Sequence, residues 1–402
     1  MVEQPKIKLA HATLLLTIIF MDLLTGMEFD LFAPSFSQLQ IYFHLTAFWV
    51  EALLSVNFIG YCISLFIVGD LADRYGRKPI ILLGLLLFVI GSIFCVASEH
   101  YWLILFGRFL QGIGIAAPAI LSFLIIADRY PLKKQQFLMA MLNGSLNLAA
   151  GIAPIIGSFI ALYFHWCGNF AVLLLLGLIA LILTNRFIPR NELSPHTNDK
   201  TSFLSGYKAL FKSKPLLLLM ANIVVMFVPY WVFVGVSPLL YIKNLHVSFP
   251  AFGLYQGVLA FSFAIGSIIY GLIIHYYVQK KWLTIGWFIF VAALLVIGWS
   301  ALTNSVNPLL ITLGMLIFVI GQIIPSTILY PLCLNFMPEA KGKVSAIIQG
   351  ARLIFSALSL EIAGYFYKGT FQNTGIIILL FILMIIVTQY YVMKNKSIMG
   401  LK

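Results

Sequence analysis

Residues 80–97, IILLGLLLFVIGSIFCVA, carry no charged side chain from end to end, and about 20 such residues make a helix long enough to cross a bilayer's hydrocarbon core. Runs of this kind recur along the whole chain. No soluble core could hide them, since 61% of the 402 residues are hydrophobic, only 9% are charged and the mean hydropathy is +1.01. Twelve spans are predicted, at 9–34, 47–69, 79–97, 102–126, 137–163, 168–187, 215–241, 251–275, 282–302, 309–336, 344–366 and 374–393. The fold class is an all-α integral membrane protein.

The charges orient these spans. All but four of the 25 Lys and Arg fall in loops on one side of the predicted membrane, from Lys6 and Lys8 through Arg129 and Lys212 to Lys402. Lys243 and Lys368 stand on the other side, and Arg108 and Arg352 lie inside spans. Basic loops stay in the cytoplasm, which predicts both termini there. The net charge of +12 is thus topology, and no nucleic-acid partner is expected. Lys6 and Lys8 precede an apolar segment of signal-peptide polarity, but it is too long and lacks a small-residue cleavage site, so it is read as a retained first span. Cys62, Cys95, Cys167 and Cys333 form no CxxC pair or Cys/His cluster, so no disulfide framework or metal site is expected. With no HExxH or GxSxG pattern either, the chain is not expected to be an enzyme. The seven histidines lie in loops or at span ends, which argues against a histidine proton relay.

Residues 185–215 are the one long polar stretch, read as a basic linker with a short amphipathic helix near Phe203 to Phe211. They divide the chain into an N-terminal six-helix bundle (1–187), a cytoplasmic linker (188–214) and a C-terminal six-helix bundle (215–402). A faint repeat relates the halves: GDLADRYGRK from Gly69 returns in degraded form as GLIIHYYVQK from Gly271, each after the second span of its half.

Acids inside spans point to function, because an Asp at mid-span costs about 2.5 to 3.5 kcal/mol on insertion scales and so faces a cavity or a partner. Asp22 lies mid-span. On a continuous helix Asp30 stands about 80° round from it and about 12 Å along the axis, so the two can line one cavity. Glu28 is about 160° from Asp30 and is expected against another helix or at the outer interface. Arg108, about 10 Å into the fourth span, is at a depth to meet a first-span acid, and its planar fork suits a carboxylate. The competing reading makes these acids purely structural partners of arginine. Arg352 and Glu361, nine residues apart, are on opposite faces of the eleventh span, and either one faces the cavity.

The loop 69–79 sets Asp70 and Asp73 among Arg74, Arg77 and Lys78, with Gly69 and Gly76 allowing close approach and a tight turn. Such a cluster can latch helix ends together in one conformation and release them in another. Its pattern, G-x-L-A-D-R-x-G-R-K, resembles the signature loop of the major facilitator superfamily. Arg108, Gln111, Gly112 and Gly114 in GRFLQGIGIAA resemble that superfamily's arginine-containing motif. Gly144, Gly151, Pro154 and Gly157 in GSLNLAAGIAPIIGS resemble the motif of its drug antiporters, with Ala153 and Ser158 where glycines are usual. Asp22, Asp30 and Pro34 keep a spacing similar to that of its multidrug:proton antiporters, whose first acid is a glutamate. KGKVSAIIQGARL with LEIAG, including Glu361, is similar to their eleventh span.

The resemblance implies the major facilitator fold, 12 transmembrane helices in two pseudo-symmetric six-helix bundles. It also implies a proton-coupled antiporter of the cell (inner) membrane that exports lipophilic, cationic or neutral small molecules by alternating access. The alternative is a dedicated exporter or importer of one metabolite such as a siderophore. Expected partners are a small-molecule substrate, protons and the lipid bilayer, with no cofactor, the proton gradient as energy source, and a monomer as the working unit. Proton and substrate coupling is assigned to Asp22, Asp30, Arg108, Glu361, Arg352 and Glu28. Gly151, Pro154 and Gly157 are expected to bend the fifth span and give it a small-residue face. Tyr230, Trp231 and Phe233, in VPYWVFVGVSP, are candidates for an apolar substrate pocket.

Overall fold

The computed structural model describes residues 5–45, 47–189 and 210–400. The linker expected at 188–214 and the amphipathic helix expected near Phe203 to Phe211 lie largely outside the described residues. Every element among the described residues is helical. In order they are α1 (Pro5–Glu28), a 3-10 turn (Ala33–Ser35), α2 (Phe36–Tyr42), α3 (Ala47–Tyr75), α4 (Arg77–Ala97), α5 (Tyr101–Arg129) and α6 (Leu132–Phe187). Then follow α7 (Lys214–Val225), α8 (Val228–Pro238), a π turn (Leu239–Asn244), α9 (Phe249–Ile273), a 3-10 turn (Ile274–Tyr276) and α10 (Gln279–Leu302). The series ends with α11 (Pro308–Phe336), a 3-10 turn (Pro338–Ala340), α12 (Lys341–Phe366), α13 (Phe371–Lys394) and α14 (Lys396–Met399).

Ten stretches among the described residues are long and apolar enough to cross a membrane. One of them, α6, is 56 residues long, enough for two crossings, and it breaks at His165 (φ 56°, ψ −172°) where the fifth and sixth spans were expected to separate. With α1 these make the twelve crossings. Their lipid-facing sides are apolar, as at Leu175, Ile182, Leu295 and Leu380, each more than half exposed. In water such faces would be a liability, whereas against lipid tails they cost nothing.

Two spans depart from continuous helices. The first is expected to run to residue 34, but α1 stops at Glu28, and the chain turns through 29–32 into the 3-10 turn that holds Pro34. The seventh is interrupted between Val225 and Val228, because Pro229 at the start of α8 has no N–H to continue the ladder.

The chain divides into two compact units. The first holds Met1–Arg129, Ser145–Ser202 and Glu339–Ala346; the second holds Tyr130–Gly144, Phe203–Pro338 and Ile347–Lys402. In the first, α5 is buried on nearly every side and packs against α1, α3 and α4. Small residues let the backbones close up: a Cβ on Gly112 would collide with the Asn57 carbonyl of α3. In the second, α10 packs on α11 and α13 around Phe290, Met315, Phe318, Ile378 and Ile382.

Candidate functional site

The interior of the first unit holds a buried ion pair. Arg108 of α5 and Glu28, the last residue of α1, are both fully buried, with Nη1 to Oε1 at 2.6 Å. The arrangement around them is polar and closely fitted. Asn57 of α3 donates from Nδ2 to Glu28 Oε1 at 2.8 Å and to the Arg108 carbonyl at 3.0 Å. Arg108 also donates to Gln111 Oε1 (2.7 Å) and, from Nε, to the Leu53 carbonyl (3.3 Å). Gln111 passes the chain on to Ser92 Oγ of α4 at 2.8 Å. The guanidinium lies 4.1 Å over the Phe32 ring, so one face is engaged as well as Nε and Nη1. Glu28 Oε2 and Arg108 Nη2 have no hydrogen-bond partner among the described residues.

Asp22, about 1.7 turns before Glu28, is also fully buried. Its Oδ2 accepts from Ser145 Oγ of α6 at 3.3 Å, while its Oδ1 has no hydrogen-bond partner among the described residues. No salt bridge to Asp22 or Asp30 occurs among the described residues. Asp30 is half-buried in the turn beyond α1, so its position relative to Asp22 does not follow the continuous-helix geometry. Helix α6 lies close along this region. A Cβ on Gly157 would collide with the Leu31 carbonyl, and Asn169 Nδ2 ties the Gly157 carbonyl (3.1 Å) to Ser35 Oγ (2.7 Å). Pro154 sits within α6 and Gly151 is half-buried; the one non-helical residue inside that stretch is His165. Gly144 belongs to the second unit, where it packs on Ala264 and Ile268 of α9.

At the basic ends of the first unit's helices the charges form a network. Gly76, at φ 90°, makes the turn from α3 to α4 in a region that other residues avoid. Arg77 spans Asp73 (2.7 Å) and Asp128 at the end of α5 (3.0 Å). Asp128 in turn takes Lys341 at 2.9 Å, and Lys343 meets Asp70 at 3.1 Å. The Asp73 carboxylate also accepts from the backbone N–H of Gly342 (3.1 Å) and Lys343 (3.2 Å). These are unpaired donors of the first turn of α12, where a carboxylate complements the helix dipole. Gly69 and Gly342 meet backbone to backbone, and a Cβ on either would strike the other's carbonyl. Arg74 pairs with Asp70 at 2.8 Å but is 43% exposed, so that contact is screened. Lys78 donates to the Asn185 carbonyl at 2.7 Å.

The helix ends of the second unit carry no ion pair among the described residues. Gly271, the counterpart of Gly69, lies against Phe137, Ala140 and Met141 at the start of α6. Asn335 at the end of α11 donates to Gln135 near the start of α6 at 2.6 Å. Elsewhere in this unit, Arg352 is half-buried, with its guanidinium 4.5 Å over Phe227 and 5.7 Å over Tyr330, and donates to Gln349 at 3.0 Å. Glu361 is exposed. Tyr230 and Trp231 meet edge to face at 6.0 Å, Trp231 being exposed, while Phe233 is buried against Tyr241 in the core.

The Major Facilitator Superfamily model matches residues 18–360 of the chain. The chain belongs to that superfamily. Among solved structures of superfamily members, FucP in the outward conformation superposes with a TM-score of 0.78 at 16% identity, covering 95% of this chain and 98% of that one. The proton:xylose symporter XylE gives 0.69 at 16% identity, covering 92% and 94%. Both agree in fold. In sequence the chain is 23% identical over 338 residues to the chloramphenicol resistance protein CraA of Acinetobacter baumannii, covering 84% of this chain and 82% of that one. Over 148 residues it is 35% identical to the multidrug resistance protein MdtL of Escherichia coli, covering 36% of this chain and 38% of that one.

Within the superfamily fold, Arg108 does meet a first-span acid, and that acid is Glu28. Sequence reasoning missed Asn57, Ser92, Ser145, Asp128, Lys341 and Lys343. Asn57 and Ser145 were legible only as polar residues inside apolar runs, and the two lysines were read as topology signals.

Proposed function

We propose that this superfamily transporter is a proton-driven antiporter exporting lipophilic, cationic or neutral small molecules, with both termini in the cytoplasm. The observation that carries the reading is Asp22. It is fully buried in the first span, with one oxygen on Ser145 and no salt bridge to a cation among the described residues, whereas Glu28 is neutralised by Arg108. A charge left so in a span is costly, and binding either a proton or a cationic cargo removes it. Competition of the two for one carboxylate couples their flows. A proton moving down 100 mV supplies about 2.3 kcal/mol. Asp30, in the turn beyond α1, serves as the second acid, and Glu361 and Arg352 act from the other half.

The halves 1–187 and 215–402 alternate access to this site. In one state the Asp73, Asp128 and Asp70 network holds the first turn of α12 as a latch, and in the other it lets go. The relatives' names, chloramphenicol resistance and multidrug resistance, support drugs as the cargo class. The test is a preformed pH gradient in everted vesicles. Adding chloramphenicol or lipophilic cations is expected to collapse it with the parent protein and not with Asp22→Asn. A collapse of equal size with Asp22→Asn rejects the assignment, and no collapse with any member of a broad panel rejects multidrug export.

A further inference from the structure

The outer face of α4 and the second arm of α6, both in the first unit, enclose an open-sided groove of about 400 Å³ lined by Leu82, Leu83, Leu86, Leu181, Ile182 and Asn185. Its walls are apolar and accessible: Leu83 is 50% and Ile182 66% exposed. One end is different. Residues four apart stack on one helix face, so Lys78 continues the line of Leu82 and Leu86, and Asn185 and Arg186 continue those of Leu181 and Ile182. Lys78 reaches across to the Asn185 carbonyl at 2.7 Å, which brings its ammonium to the mouth of the groove, and Arg186 is exposed beside it. The groove is therefore an acyl-shaped channel that ends in two cations, on the side of the membrane where the basic loops gather.

We propose that this groove binds an anionic phospholipid, with one acyl chain along the leucines and the phosphate against Lys78 and Arg186. A zwitterionic lipid fits the same walls, but its own cation opposes the two basic side chains. Each Lys or Arg near an anionic lipid favours it by about fivefold, so the pair selects for a net-negative headgroup by roughly 25-fold.

The test is native mass spectrometry of the purified full chain with equimolar phosphatidylglycerol and phosphatidylcholine of matched acyl chains. The parent is expected to retain phosphatidylglycerol in preference by at least about tenfold. Lys78→Gln with Arg186→Gln brings the ratio near one, Lys280→Gln with Lys281→Gln at the start of α10 leaves it unchanged, and Leu86→Trp, which fills the groove, lowers retention of both lipids. The proposal is overturned if the parent shows no preference, if the α10 pair abolishes it equally, or if Leu86→Trp leaves retention intact.

Discussion

Removing one partner of the Glu28 and Arg108 pair should cost more than removing both. Each side chain is fully buried, so solvent does not screen what is left behind, and breaking such a pair costs about 3 to 5 kcal/mol. The surroundings set the order within that range. After Glu28→Gln, Arg108 keeps the Gln111 oxygen at 2.7 Å, the Leu53 carbonyl at 3.3 Å and the Phe32 face at 4.1 Å, which puts the cost near 3 kcal/mol. After Arg108→Met, the Glu28 carboxylate keeps, among the described residues, only Asn57 at 2.8 Å, which puts it near 5 kcal/mol. An unfolding entropy of about 2.1 cal/mol/K per residue over 402 residues makes each kcal/mol worth about 1.2 °C. Thermal unfolding in detergent is thus expected to drop by about 4 °C for Glu28→Gln and about 6 °C for Arg108→Met. The double variant, with neither charge, should fall by no more than the milder single change. A double variant that falls by the sum of the two would refute the reasoning, since the residues would then be acting independently.

Gly157→Ala is expected to lower transport and stability together, because the new Cβ meets the Leu31 carbonyl and must push α6 off the segment that follows α1. Dye efflux and melting temperature measured on the same preparations check it, and parent-like values for both contradict it. Asp73→Asn removes the charge shared by Arg77 and the first turn of α12. It should weaken the hold of that turn by about 1 kcal/mol, read as faster amide exchange at 342–345. Asp128→Asn should speed the same exchange through Lys341, while Asn335→Ala should leave it unchanged, since that amide bonds Gln135 in the second unit.

The spans were legible because burial in lipid demands apolar side chains all round, a signal that survives without any knowledge of packing. The arginine and an acid partner were legible from depth along a helix. Which acid it would be was not. That choice depended on α1 ending at Glu28, which leaves Asp30 in the turn beyond it and away from ideal helix geometry. Asn57 and Ser145 were illegible for another reason: a single amide or hydroxyl in an apolar run is cheap to bury when it finds a partner, and the partner sits on a different helix. Lys341 and Lys343 illustrate a third limit. A lysine at a span end satisfies the positive-inside rule whether or not it pairs, and only the fold shows Asp128 and Asp70 opposite. The weak repeat from Gly69 to Gly271 carried no sign of this difference: Gly69 meets the Gly342 backbone, whereas Gly271 lies against the side chains of Ala140 and Met141.

Cargo and proton sharing the Asp22 carboxylate can be observed without a membrane. Purified protein in weakly buffered detergent solution, titrated with a cationic substrate and a pH indicator, should release protons as the substrate binds, and Asp22→Asn should bind with that release abolished or cut by about half if Asp30 contributes equally. Substrate binding with no proton release from the parent, or undiminished release from Asp22→Asn, would contradict the account.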